Sequence, residues 1–191
     1  MLDFQLDVTP DGVTRHFEDV FGNYSTRVKL DHPYTELSIL ARSRVRISSA
    51  SPLFSPFRRT TMPLVWMPWQ RQMMFSYLLP PELPESQLAE LSEYAMSFAE
   101  RQDFDLVGTL NDMNNAIHGE YAYVSGSTTL ETTPWEVYVN RRGVCQDFAN
   151  LLICLARLLN IPARYCVGYI YTGVDHGNKV QYRNIWVQPL Q

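Results

Sequence analysis

From Phe148 to Leu159 the chain is apolar at nearly every position, and Asn160-Ile161-Pro162 closes the run. A run of about a dozen such residues, ended by a proline, reads as a helix rather than a strand. A helix apolar on almost every side must lie at the centre of its domain, so the rest of the chain has to wrap around it. Gly143-Val144-Cys145-Gln146-Asp147 precedes the run, which puts a turn before the helix and Cys145 at its start.

That position matters chemically. A helix N-terminus carries unpaired backbone N–H groups and the positive end of the helix dipole. Both favour a thiolate over a thiol, and the thiolate is the nucleophile. The backbone N–H groups of Cys145 and Gln146 are also placed to stabilise an oxyanion beside the sulfur. The plainer alternative is a cysteine that only fills a helix start, since free cysteines are often packed hydrophobes.

The surrounding string narrows the choice. Gly143-Val144-Cys145-Gln146-Asp147-Phe148-Ala149 leads to Leu158-Leu159-Asn160-Ile161-Pro162-Ala163-Arg164-Tyr165 and then Gly168-Tyr169. Upstream lie Ile117-His118-Gly119-Glu120-Tyr121-Ala122-Tyr123 and Thr132-Thr133-Pro134-Trp135-Glu136. Together they resemble the core of the transglutaminase-like cysteine-enzyme superfamily, in particular its bacterial cysteine-protease branch. Asp19-Val20-Phe21-Gly22-Asn23 resembles a turn in the domain that precedes this core, so the likeness covers most of the chain. It implies an α+β architecture. A small antiparallel β domain would be followed by a papain-like core, with the cysteine-bearing helix buried against an antiparallel sheet.

Composition agrees with a globular protein and excludes several classes. At 191 residues the chain has room for one or two domains, and 46% hydrophobic residues supply a core. A formal charge of −4 gives no electrostatic case for nucleic acid. No run of about 18 apolar residues offers a membrane span. The first residues, Met1-Leu2-Asp3-Phe4, do not read as a signal peptide. Cys145, Cys154 and Cys166 cannot form a complete disulfide set, so the cytoplasm is the expected compartment. Cys154 and Cys166 read as packing. No Cys-x-x-Cys or paired histidine motif suggests zinc.

The pattern divides the chain into three stretches. Residues 1–47 read as β: Phe4, Leu6 and Val8 alternate with polar residues. So do Leu37, Ile39, Ala41, Val45 and Ile47, with Arg42, Arg44 and Arg46 on the solvated face. Residues 48–84, rich in proline and aromatics, read as an irregular connector packed on the next domain. Residues 85–191 form the core. Leu88, Leu91, Ala95 and Phe98 mark one helix, and Leu106, Leu110, Met113 and Ile117 a second that stops at His118-Gly119. Thr132–Tyr138 adds a short helical turn, and 164–171 and 185–189 read as strands.

An acyl-transfer cysteine needs a base, and the base needs an orienting group. The resemblance implies a histidine in a His-Ala-Trp strand, then an aspartate on the next strand. The matching stretch here is Asn184-Ile185-Trp186-Val187, with Asn184 where the histidine is expected. Asparagine cannot take a proton from a thiol at neutral pH. The chain ends at Gln191 before a strand that would carry the aspartate. His176, beside Asp175, is the chain's alternative base, although Asp175-His176-Gly177-Asn178 equally reads as an exposed turn. His118 reads as a helix-end residue, and His16 and His32 as surface residues.

Around the cysteine, Asp147 complements the positive helix end. Trp135 and Tyr169 are candidates to line a substrate groove. Arg141 and Arg142 are either a source of positive potential near the thiol or a solvated turn. The resemblance implies a peptide or protein amide substrate and requires no metal or organic cofactor; no Asp-rich loop suggests calcium. The alternative is a module that keeps the fold, lacks the base and binds a peptide or protein partner. A further alternative is a chain whose histidine and aspartate lie beyond the given sequence.

Overall fold

The apolar run folds as α6, Cys145–Leu158, and the helices of its unit pack against it. The computed structural model describes residues 3–19, 22–44 and 59–166 and the backbone of 185–186. The chain divides into two units, Met1–Phe57 and Arg58–Gln191.

In the second unit, α3 (Glu85–Arg101) buries Leu91, Ala95, Phe98 and Ala99, one stripe at helical spacing. α4 (Leu106–Glu120) buries Leu106, Thr109, Met113 and Ile117. Thr109 is fully buried where the pattern pointed to Leu110, because its hydroxyl donates to the Asp105 carbonyl at 2.7 Å and needs no water. α4 also runs past His118-Gly119 to Glu120. Gly119 does not take the left-handed conformation of a C-cap, so nothing there ends the helix. α5 (Pro134–Asn140) starts with a capping box: the Thr133 hydroxyl accepts from the Glu136 N–H, and the Glu136 carboxylate accepts from the Thr133 N–H. The centre of α6 is buried on nearly every side, with Leu151, Leu152, Ile153, Cys154, Leu155 and Ala156 in the core.

The proline-rich stretch contains more helix than its composition suggests. α1 (Pro68–Met73) and α2 (Phe75–Leu78) lie within it. Pro68 takes the first helical position, where a missing N–H costs nothing, and the next proline comes only at Pro80. Met62 and Met74 are buried, and Leu64 and Leu83 pack on the core. Trp66 donates to the Asn160 carbonyl at 3.1 Å, and Asn160 donates back to the Leu64 carbonyl at 2.9 Å. Asn160 has φ 61, the left-handed turn that ends α6 ahead of Pro162. Arg157 clamps the same end, donating to the carbonyls of Ala163 and Leu79.

Strands complete this unit. β5 (Ala122–Tyr123) pairs in parallel with β6 (Arg142–Gly143). β7 (Arg164–Tyr165) pairs antiparallel with β8 (Ile185–Trp186), in the register Arg164↔Trp186. Cys166, half-buried, already lies outside β7, and the rest of the strands expected over 164–171 and 185–189 falls on residues outside those described.

The first unit is antiparallel throughout its described strands. β1 (Asp3–Thr9) pairs with β4 (Ser38–Arg44), and β2 (Val13–Glu18) with β3 (Tyr24–Lys29). The turn after β2 is held by Asp19, whose carboxylate accepts from the Asn23 N–H and side-chain amide, each at 2.9 Å. Gly22 adopts φ 77 there, a conformation glycine enters without penalty. Arg42 on β4 pairs with Asp7 on β1 at 2.9 Å, and Arg46 lies outside the described residues. Among the described residues, no helix is long and apolar enough to cross a membrane.

Candidate active site

The approach to Cys145 is pinned on both sides. The Ala122 N–H donates to the Arg141 carbonyl at 2.8 Å and the Val124 N–H to the Gly143 carbonyl at 3.0 Å. These bonds fix β6 just before the helix begins. Val144 then takes the N-cap position but has no side-chain acceptor. The cap comes from inside the helix. Asp147, 2% exposed, turns back so that one carboxylate oxygen accepts from the Val144 N–H and from the Thr128 hydroxyl, both at 2.7 Å. A buried carboxylate without such partners would be costly; two donors and the helix dipole satisfy it.

The hook depends on Gly143. A Cβ at this position would sit 2.9 Å from the Asp147 Cβ and 3.0 Å from its carboxylate oxygen. The glycine is needed for space, since its φ lies outside the left-handed range. The expected role of Asp147 at the helix start was electrostatic. The structure makes it a buried hydrogen-bonding hook as well, tying the helix start to the loop that holds Thr128.

Cys145 occupies the first helical position, half-buried and free of any disulfide. The first N–H groups to be satisfied by the helix belong to Asp147 and Phe148, which both donate to the Val144 carbonyl. Among the described residues, no acceptor meets the N–H of Cys145 or Gln146. The sulfur thus sits beside a pair of open donors at the positive end of a helix.

Tyr165, on β7, belongs to this neighbourhood. Burial, and then its nearness to Cys145 and Asp147, push its phenol above the ordinary value. The sequence reading gave it no role; its place directly after the Ile161-Pro162-Ala163 turn was the available signal.

Arg141 is packed among tyrosine rings rather than left as a solvated turn. It adopts the left-handed conformation (φ 51) at the end of α5, and its guanidinium lies over the rings of Tyr94, Tyr121 and Tyr138 at 5.2, 4.7 and 4.9 Å. It donates to the hydroxyls of Tyr121 at 2.9 Å and Tyr94 at 3.2 Å and pairs with Glu120 at 3.2 Å. Burial raises the Tyr121 phenol far above its usual value, so it remains protonated. Arg142, by contrast, is exposed.

Trp135 is half-buried on α5, packed on the core and 5.6 Å from the Tyr138 ring. Cys154 is buried in α6, where desolvation pushes its thiol up to about 12. His118 is exposed in the last turn of α4; His16 Nδ1 lies 2.9 Å from Thr26 Oγ1 on the exposed β2–β3 pair. Tyr169, His176 and Asn184 lie outside the described residues. Among the described residues, no group of three or more His, Cys, Asp or Glu side chains is arranged to hold a metal.

The chain is similar to known proteins. The transglutaminase-like superfamily matches residues 94–190, and the bacterial transglutaminase-like N-terminal region matches residues 1–46. Uncharacterized proteins of Mycobacterium bovis and Mycobacterium tuberculosis are 32% identical over 168 residues, covering 83% of this chain and 51% of theirs. An uncharacterized protein of Mycobacterium leprae is 24% identical over 192 residues, covering 96% of this chain and 65% of its own. The chain thus spans about half the length of the first two relatives. The crystal structure of "a Putative Cysteine Protease from Cytophaga hutchinsonii" superposes with a TM-score of 0.64 at 24% identity, over 95% of this chain and 59% of that one. At that identity the likeness speaks for the fold: mixed α+β, antiparallel strands first, a helical core after. The half of the chain that holds the Cys145 helix and the N-terminal strands both have their counterparts, and the chain belongs to the transglutaminase-like superfamily.

Proposed function

We propose that Cys145 is the nucleophile of an acyl transfer on amide bonds. The observation that carries this is its position: a free thiol at the first residue of α6, beside the open N–H groups of Cys145 and Gln146. The Cys145 sulfur attacks an amide carbonyl carbon, and the oxyanion is held by those two N–H groups. The C–N bond then breaks, and the amine leaves with a proton delivered by the base. The resulting thioester is resolved by water or by a second amine. Peptidase, amidase and transglutaminase chemistry share this course, and a peptide or protein amide is the substrate class.

The base is the part the described residues do not supply. His176 is the chain's own candidate, and Asn184 stands where the family's histidine is expected. Asn184 favours a second reading, in which the same cleft binds a peptide or protein partner without turning it over. Trp135 and Tyr169 are the proposed groove residues in either case. A free thiol at the site suits a reducing compartment such as the cytoplasm.

The test is acylation by 4-nitrophenyl acetate, read by peptide mass spectrometry over a pH series. Acetylation of the Cys145 peptide, lost in Cys145→Ser and weakened in His176→Ala, supports the enzyme. Acetylation that follows an unassisted thiol of pKa about 8.5 and ignores His176 favours the binding module.

A further inference from the structure

The β2–β3 hairpin places Arg15 directly opposite Arg27. Facing side chains on paired strands stand about 5 Å apart, and like charges in that relation destabilise a hairpin. Neither guanidinium is paired with a carboxylate among the described residues, although Lys29 and Arg42 in the same unit each have one. Among the described residues the repulsion is left standing on an exposed surface.

The surroundings suggest what it is for. Val13, Arg15 and Phe17 share one face of β2, opposite Lys29, Arg27 and Ser25. Arg15, Phe17 and Arg27 line one shallow cavity, and the Arg27 guanidinium lies 5.8 Å from the Phe17 ring centre. Val13 and Phe17 are 63% and 41% exposed, so apolar side chains flank the cations. Among the described residues, no third strand joins this pair, and a two-stranded sheet has little stability by itself. Its outer edges offer main-chain donors and acceptors to an added strand.

We infer that this face binds an extended acidic peptide segment of a partner protein. A carboxylate of the peptide bridges Arg15 and Arg27, the apolar side chain two residues along on the same face packs on Phe17, and its backbone continues the β2–β3 sheet. Guanidinium pairs match carboxylates in bidentate fashion, and alternate residues of a strand face the same side. A long polyanion such as nucleic acid fits less well, because only two unpaired cations meet here and the chain is acidic overall. This site does not depend on the chemistry of Cys145.

The probe is a fluorescent peptide of repeating Glu-Thr-Val-Thr, which carries glutamate and valine on one face, titrated with the whole chain and read by anisotropy at low salt. Binding is expected to weaken at least about tenfold when its glutamates become glutamines, and similarly in the Arg15→Gln/Arg27→Gln protein. The Arg15→Lys/Arg27→Lys protein keeps every charge and loses the planar fork, so it should also bind several-fold more weakly. Arg42→Gln, remote in register, should bind like the unaltered chain. The proposal is overturned if the unaltered chain does not bind, or if the lysine variant and the glutamine peptide bind undiminished. Displacement by an equal concentration of inorganic phosphate also overturns it, since the site would then select phosphate.

Discussion

Gly143 and Asp147 occupy a space that one methyl group would close: a Cβ on Gly143 would lie 2.9 Å from the Asp147 Cβ. Gly143→Ala should therefore push the carboxylate off the Val144 N–H. The overpacking and lost cap together predict a destabilisation of about 1–3 kcal/mol in urea unfolding. Acylation of Cys145 should fall with it, because the helix start that positions the sulfur moves. Unchanged stability would mean that the Asp147 side chain swings aside freely.

Asp147→Ala leaves the part-buried Thr128 hydroxyl and Val144 N–H without their acceptor. Each lost partner costs about 1–3 kcal/mol. Thr128→Val should cost less, since the carboxylate keeps its backbone donor. The pair is close enough that the double variant should be non-additive by about 0.5 kcal/mol or more. A double-mutant cycle by chemical unfolding measures it, and strict additivity would deny the link between helix start and loop.

Alkaline pH should unfold the protein through its buried acids. The Cys154 thiol moves from an ordinary 9.0 to about 12 on folding, and the phenols of Tyr121, Tyr138 and Tyr165 also rise. The folded state then holds protons that the unfolded chain releases, so stability is full below about pH 9 and declines as pH rises above it. The thermal midpoint should drop from about that pH upward, and Cys154→Ala should flatten the slope while lowering stability overall. In the native protein Cys154 should resist alkylation while half-buried Cys145 reacts.

Arg141→Lys keeps the charge and loses the planar guanidinium that lies over the Tyr94, Tyr121 and Tyr138 rings while its Nη1 donates to the Tyr94 and Tyr121 hydroxyls. A loss of about 1–3 kcal/mol is expected, with most of the ring contact weakened as well. Thermal unfolding of the variant checks this. The shift should persist at high salt, because the rings and hydroxyls, rather than the exposed Glu120 partner, hold the guanidinium.

The acid limb involves a different group. Glu136, fully exposed, is held below its ordinary 4.5 by the Thr133 N–H and hydroxyl. Its contribution to α5 is present above pH 4.5 and is lost as the pH falls through its lowered value. Thr133→Ala should reduce that acid sensitivity and cost about 1 kcal/mol at neutral pH, measured by unfolding at both pH values.

Much of the core was legible because its information is local. The stripe of Leu91, Ala95 and Phe98 and the all-round apolar character of α6 are periodicities within one helix, and packing of an apolar face usually decides a helix. The start of α5 at Thr133-Pro134 and the end of α6 at Asn160-Ile161-Pro162 are likewise written in adjacent residues. The short helices of the proline-rich stretch were missed because proline was weighed as a breaker, whereas at Pro68 it occupies the position where a helix accepts it.

What the sequence by itself determined is the central helix, its cysteine and the class of domain built around them, since those follow from periodicity, turn residues and a short motif. What the tertiary structure decided is how that cysteine is held. The acceptor that caps its helix is a buried Asp147 shared with Thr128, 19 residues earlier. Arg141, read from sequence as either a source of potential near the sulfur or a solvated turn, lies against tyrosines, one of them 47 residues away. Such groups are joined only when burial removes water as the competing partner. Without water, a carboxylate must find donors and a guanidinium must find acceptors and ring faces, wherever in the chain they lie.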